Sequence, residues 1–146
     1  MTDLLSRAIV IATEAHAGQV DKGGQPYILH PLRVMLAQRA ELARIVAVLH
    51  DVVEDCPGWT LARLAEEGFP FGIVAGVDSV TRRKDEPYDV FIARAGDHLL
   101  GRQVKVADLI DNLDVSRLGR PPAASDIRRV ARYRKALLDL GVNPPA

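Results

Sequence analysis

Apolar residues along this chain recur at spacings of three and four, with no sustained two-residue alternation. Leu5, Ala8, Ile9, Ala12 and Ala15 share one face, as in an amphipathic helix. Gly18 to Pro26, with three glycines and a proline, predicts a loop. Pro31 suits the first turn of a second helix running to about Gln38, where its missing N–H costs nothing. Glu41 to about Glu54 reads as a buried helix through Leu42, Ile45, Val46 and Leu49, stopping before Pro57-Gly58. Thr60 is a suitable N-cap for a short helix ending near Gly68, and residues 71–80 form another despite their β-branched content. Pro87 opens a segment through Val90, Phe91 and Ala95. Leu99 to Asp114 and Ala124 to Leu140 complete the set, separated by Pro121-Pro122. The expectation is an all-α fold of about eight helices, with residues 1–146 forming one domain.

Composition narrows the classes of function. A chain of 146 residues can enclose a genuine core. Its formal net charge of zero supplies no global field to hold it on nucleic acid or an anionic membrane, although a local basic patch stays open. The one cysteine, Cys56, excludes an internal disulfide and fits a reducing compartment. It follows two carboxylates and reads as an inert small residue, because an activated thiolate needs a positive environment. No apolar stretch approaches the roughly 20 residues that cross a bilayer, and the N-terminus lacks a signal-peptide core. The chain is therefore expected to be soluble and cytoplasmic, without nucleic-acid or membrane partners. Oligomeric state is not legible.

The candidate chemistry starts at His50-Asp51-Val52-Val53-Glu54-Asp55, directly after an apolar helical run. Histidine with carboxylates suits a borderline-hard divalent metal, and a carboxylate one turn on suits proton handling beside it. On an ideal helix His50 and Asp51 point about 100° apart, so one ion must sit against the edge between them, near the helix end. Glu54 falls on the same side. Alone, such a pair equally describes a histidine capping a helix with acids facing solvent. His30, in Tyr27-Ile28-Leu29-His30-Pro31, taken alone describes a satisfied core histidine. Asp108 lies among Ala107, Leu109 and Ile110, where burial is costly unless the carboxylate is paired or binds a cation. Lys105 and Asn112 share its helical face. A surface ion pair of Lys105 with Asp108 is the alternative that these apolar neighbours disfavour.

Three stretches in matching order carry a resemblance that spans roughly residues 8–115. Glu14 to Gln19 followed by Asp21 to Pro31 resembles the opening of the HD-superfamily hydrolase domain of RelA/SpoT-type guanosine tetraphosphate enzymes. His50 to Asp55 resembles its central motif, and Val104 to Asn112 its third. The resemblance implies an all-α HD-domain fold around one Mn²⁺, or another divalent transition metal, held by His30, His50, Asp51 and Asp108. It makes Glu54 and Asp55 the catalytic acidic pair. It also implies nucleotide contacts from Lys22 of the glycine-rich loop, from Lys84 and Asn112, and from Arg129 with Tyr133 in the last helix. The alternative for Arg82, Arg83 and Lys84 is a solvated turn, and for Arg129 a solvated face. With no length left for a synthetase or regulatory domain, the chain resembles a free-standing small alarmone hydrolase.

Some positions depart from the long enzymes. Asp21 stands where an arginine is usual, and Leu109 and Asp111 replace an Arg and a His after the third-motif aspartate. These changes leave the implied metal set intact and bear on the nucleotide. Asp111 is free to bond a ribose hydroxyl or to face another helix. His16 is expected to brace the loop, and His98 to be solvated in a polar turn. The expected function is hydrolysis of guanosine tetra- or pentaphosphate to GDP or GTP plus pyrophosphate. The alternatives are a phosphohydrolase acting on another ribose 2′- or 3′-phosphorylated nucleotide such as NADPH, and a catalytically silent nucleotide- or partner-binding module.

Overall fold

The computed structural model describes residues 2–146. Among these, the helices are α1 (Leu4–Ala15), α2 (Leu29–Leu36), α3 (Glu41–Leu49), α4 (Val52–Asp55), α5 (Leu61–Glu66), α6 (Phe71–Ser79), α7 (Tyr88–Gly96), α8 (Leu99–Asn112) and α9 (Ala124–Asp139), with a 3₁₀ turn at Val115–Leu118. Local chemistry explains several boundaries. Asp3 accepts the Ser6 N–H at 2.8 Å and Thr60 accepts the Arg63 N–H at 3.0 Å, both as N-caps. Asp126 reaches back to the Ala123 N–H at 2.7 Å and opens α9. The glycine-rich loop expected between α1 and α2 is present, pinched by one bridge between Val20 and Pro26.

α3 is the axis of the fold. Ala43 and every residue from Ile45 to Leu49 are buried, and α1, α2, α6 and α8 pack around them. Gly76 lets α6 approach closely, since a Cβ there would lie 2.8 Å from Val46 Cγ2. A second apolar cluster of Ile92, Leu109, Ala136, Leu137 and Leu140 ties α7 and α8 to α9. Leu109 is thus a packing residue.

The structure corrects four sequence readings. The helix expected over 41–54 stops at Leu49 and restarts at Val52, so His50 and Asp51 occupy a break. Leu42, expected in the core, is 51% exposed. The third-motif helix ends at Asn112, two residues early, where the chain tightens into the unforeseen 3₁₀ turn. His98 is no free surface residue: it is the N-cap of α8, its Nδ1 accepting the Gly101 N–H at 3.1 Å. No helix among the described residues is long and apolar enough to cross a membrane.

Candidate active site

The break after α3 is what aims the chemistry. His50 and Asp51 lie outside regular helix, with Asp51 at φ −103° and ψ −2°. Their side chains therefore need not diverge as neighbours on a helix do. His50 Nδ1 lies 2.6 Å from the Ala47 carbonyl, which can only accept, so Nδ1 carries a proton and Nε2 is the nitrogen that faces the cluster. That Nε2 is fully buried and has no hydrogen-bond partner. It points toward Asp51 Oδ2 at 3.1 Å and Asp108 Oδ1 at 3.5 Å. From α2, His30 Nε2 comes within 3.0 Å of the same Asp108 oxygen and 3.7 Å of Asp51 Oδ2.

Two imidazole nitrogens and two carboxylate oxygens, borne by α2, the α3–α4 break and α8, thus surround one point. Bonds of roughly 2.0–2.2 Å to a common ion require ligand–ligand edges of roughly 3.0–3.6 Å, close to those found. Ligand atoms of His30, His50 and Asp51 all lie within 4.8 Å of one another, and so do those of Asp51, Glu54 and Asp55. Asp108 joins through the two imidazoles. The orphaned Nε2 of His50 and this mixed donor set fit a divalent metal, and the cluster is a candidate His/Asp metal site.

Within the cluster the buried charges hold one another ionised. Burial opposes ionisation of Asp51 and of Asp108. Yet His50 holds Asp51 low, and Lys105 with His50 holds Asp108 well below the carboxylate range. Burial likewise opposes charging His50, but Asp51 and Asp108 raise it well above an ordinary histidine. Lys105 and Asp108 are 9% and 5% exposed and meet at 2.8 Å, so their pair is a buried one. Asn112 Nδ2 donates to Asp108 Oδ1 at 2.9 Å.

Glu54 and Asp55 stand on α4 at the open side of the cluster, both exposed. Glu54 Oε1 accepts the Arg82 N–H at 2.7 Å, which anchors it from the α6–α7 connection. Partial desolvation and the Asp51 carboxylate raise both acids, against the lowering Arg82 N–H bond at Glu54, and Asp55 reaches about 6. A carboxyl shifted in this way is suited to accept and release a proton near neutral pH.

Beside the cluster opens a cleft of about 390 Å³, which reaches it through Tyr27 and His30. Lys22, Asn112, Arg129 and Tyr133 all line it; Lys84 is exposed in its turn and does not. Arg129 is paired with Asp126, and Arg117 with Asp111 at 3.0 Å and Asp114 at 2.8 Å. Among the described residues, Lys22 is the lining cation with no carboxylate partner. Asp21 shapes the loop itself: its Oδ1 accepts the Gly23 and Gln25 N–H groups, each at 2.9 Å. Gly23 is required by close approach, since a Cβ there would stand 2.0 Å from the Arg117 carbonyl oxygen. His16 is buried and meets Gln19 Oε1 at 2.7 Å, inside the same loop.

Sequence reasoning missed one contributor, Tyr27, and left open the partner of a second, Asp111, which it allowed to face another helix. Tyr27 donates its hydroxyl to Asp51 Oδ2 at 2.6 Å and thereby orients it. A phenol three residues before His30 in an apolar run was the available signal, since a buried hydroxyl seeks a partner. Asp111 faces α2, meeting His30 Nδ1 at 2.7 Å and accepting Arg33 Nε at 2.9 Å. Nothing in local sequence paired it with residues about eighty positions away.

Comparison with known proteins agrees with this architecture. No family model matches the chain. It is 32% identical over 122 residues, 75% of its length, to the guanosine-3′,5′-bis(diphosphate) 3′-pyrophosphohydrolase of Aquifex aeolicus, covering 17% of that protein. It is 44% identical over 85 residues, 54% of its length, to a probable GTP pyrophosphokinase of Mycobacterium leprae, covering 10% of it. A Vibrio cholerae pyrophosphohydrolase is 41% identical over 58 residues, which are 37% of this chain and 8% of that one. The chain therefore spans less than a fifth of these relatives. The solved structure of a metazoan SpoT orthologue that hydrolyses ppGpp superposes with a TM-score of 0.75 at 22% identity, covering 96% of this chain and 84% of that one. The fold is all-α and HD-like. Over the matched stretch, the protein is a homologue of the RelA/SpoT hydrolase domain.

Proposed function

We propose that residues 1–146 act as one hydrolase domain that removes the 3′-pyrophosphate of guanosine tetra- or pentaphosphate, giving GDP or GTP plus pyrophosphate. The observation that carries this reading is the convergence of His30, His50, Asp51 and Asp108 on one point, with two raised carboxyls beside it and a nucleotide-sized cleft adjoining. His30, His50, Asp51 and Asp108 would hold Mn²⁺, or another divalent transition metal by availability. When bound, such an ion supplies Lewis-acid charge at a phosphoryl oxygen and acidifies water. Glu54, fixed through the Arg82 N–H, orients the attacking water and takes its proton; Asp55 shares that proton and passes it to solvent. Lys22 meets phosphate, Tyr133 and Asn112 face base and ribose, and Arg129 reaches phosphate with the donors that Asp126 does not use. Lys84 would contact substrate only from outside the cleft. A cytoplasmic site of action follows from the nucleotide substrate.

The balanced charge of the cleft favours one second reading. Cations Lys22, Arg33, Arg117 and Arg129 face Asp21, Asp111, Asp114 and Asp126, so a less highly charged 2′- or 3′-phosphorylated nucleotide such as NADPH also suits it. Purified protein with Mn²⁺ should be offered the guanosine nucleotides and NADPH in parallel, with pyrophosphate and phosphate measured separately. Release of pyrophosphate from the guanosine nucleotides is expected. Turnover of NADPH alone would replace the substrate, and turnover of neither would leave a silent binding module.

A further inference from the structure

Resting on the metal-centre reading above, we infer that Asp111 is a positioning residue that sets the tautomer of His30 and ties the metal cluster to the wall of the nucleotide cleft. Its two oxygens are committed in opposite directions. Oδ2 lies 2.7 Å from His30 Nδ1, whereas Oδ1 accepts Arg33 Nε at 2.9 Å and Arg117 Nη2 at 3.0 Å. A carboxylate can only accept, so Asp111 keeps a proton on Nδ1 and leaves Nε2, which faces Asp108 Oδ1 at 3.0 Å, as the nitrogen that a metal would take in place of a proton. Two guanidinium groups hold the far oxygen and prevent the carboxylate from turning. Arg117 also donates to the Asp111 main-chain carbonyl at 2.7 Å, and the Arg117 carbonyl is the group against which Gly23 closes. One side chain thus links His30 to the loop that carries Lys22. Asp111 lines the cleft with both oxygens already engaged, whereas Arg33 gives it only Nε and keeps its Nη groups free among the described residues.

The isosteric change Asp111→Asn separates positioning from simple structural support. Arg33 and Arg117 offer only donors, so they select the amide oxygen and turn the NH₂ toward His30 Nδ1. His30 must then accept at Nδ1 and carry its proton on Nε2, where the metal should bind. Three measurements are made on the wild type and on Asp111→Asn: Mn²⁺ titration by calorimetry, thermal unfolding, and two-bond ¹⁵N spectra of the imidazoles with diamagnetic Zn²⁺ bound. The expected result is a fall in Mn²⁺ affinity of about 10–100-fold with the fold retained, the usual effect of losing such an outer partner. In the wild type, His30 should show a protonated Nδ1 and metal at Nε2. Mn²⁺ affinity of Asp111→Asn within twofold of wild type would overturn the inference, leaving the metal centre standing. So would wild-type His30 ligating through Nδ1, a measurement that needs no variant to fold. Wild-type protein that binds no Mn²⁺ would overturn both the centre and the role of Asp111.

Discussion

Replacing Asp108 with alanine removes the carboxylate on which Lys105, Asn112, His30 and His50 converge. Lys105 is 9% exposed, and Asp108 at 2.8 Å is its ion-pair partner. The Phe91 ring, 4.8 Å from Nζ, offers only a weak substitute. Stranding one member of a buried pair costs about 3–5 kcal/mol. With an unfolding entropy of about 2.1 cal/mol/K per residue over 146 residues, that cost lowers the melting temperature by about 10–16 °C. Lys105→Met should be milder, because Asp108 keeps Asn112 and His30. The double variant Lys105→Met, Asp108→Leu should recover much of the loss, since it leaves no buried charge unpaired at this position. The assay is thermal unfolding by circular dichroism in chelator, which keeps metal binding out of the comparison. Asp108→Ala melting within about 3 °C of wild type would refute the buried pair, as would a double variant no more stable than Asp108→Ala. With Mn²⁺ supplied, Asp108→Ala should lose metal binding and Lys105→Met should keep it.

Glu54→Gln retains an oxygen for the Arg82 N–H but cannot take a proton. It should bind Mn²⁺ normally and lose turnover by about 10²–10⁴-fold, and near-normal turnover would remove Glu54 from the mechanism. Gly23→Ala drives a methyl into the Arg117 carbonyl and displaces the Lys22 loop. It should lower kcat/KM by about tenfold or more, and an unchanged kcat/KM would show that the loop does not meet the nucleotide. Glu86 pairs with Arg94, Nε to Oε2 and Nη2 to Oε1, each at 2.9 Å, and these bonds lower its carboxyl from 4.5 to about 2. A depressed carboxyl contributes its full stability above pH 4.5 and loses it as the pH falls toward 2. The difference in unfolding midpoint between wild type and Glu86→Gln should therefore shrink across that interval; a constant difference would contradict the assignment.

Much of this protein was legible because its signals are local. Periodicity marks α1, α3 and α8; Pro31, Thr60 and Pro87 mark helix openings; and three glycines with a proline mark the loop between α1 and α2. The His-Asp dipeptide, the lone buried aspartate on α8 and the histidine before Pro31 are likewise visible as residue types in context. Resemblance grouped them into one set.

The sequence by itself determined the helical class and the residue types available to a site, because helical faces and caps depend on neighbours within a turn. Tertiary structure decided which side chains meet. It placed the break at His50-Asp51, which lets two adjacent residues face one centre. It also brought Asp111 to His30 and Tyr27 to Asp51, closed Gly23 on Arg117, and kept Lys84 off the cleft. Those contacts span from 24 to 94 residues along the chain, a range over which no helical periodicity carries information. They exist because α3 is buried nearly all round, so the helices packed around it bring distant polar residues to its broken end.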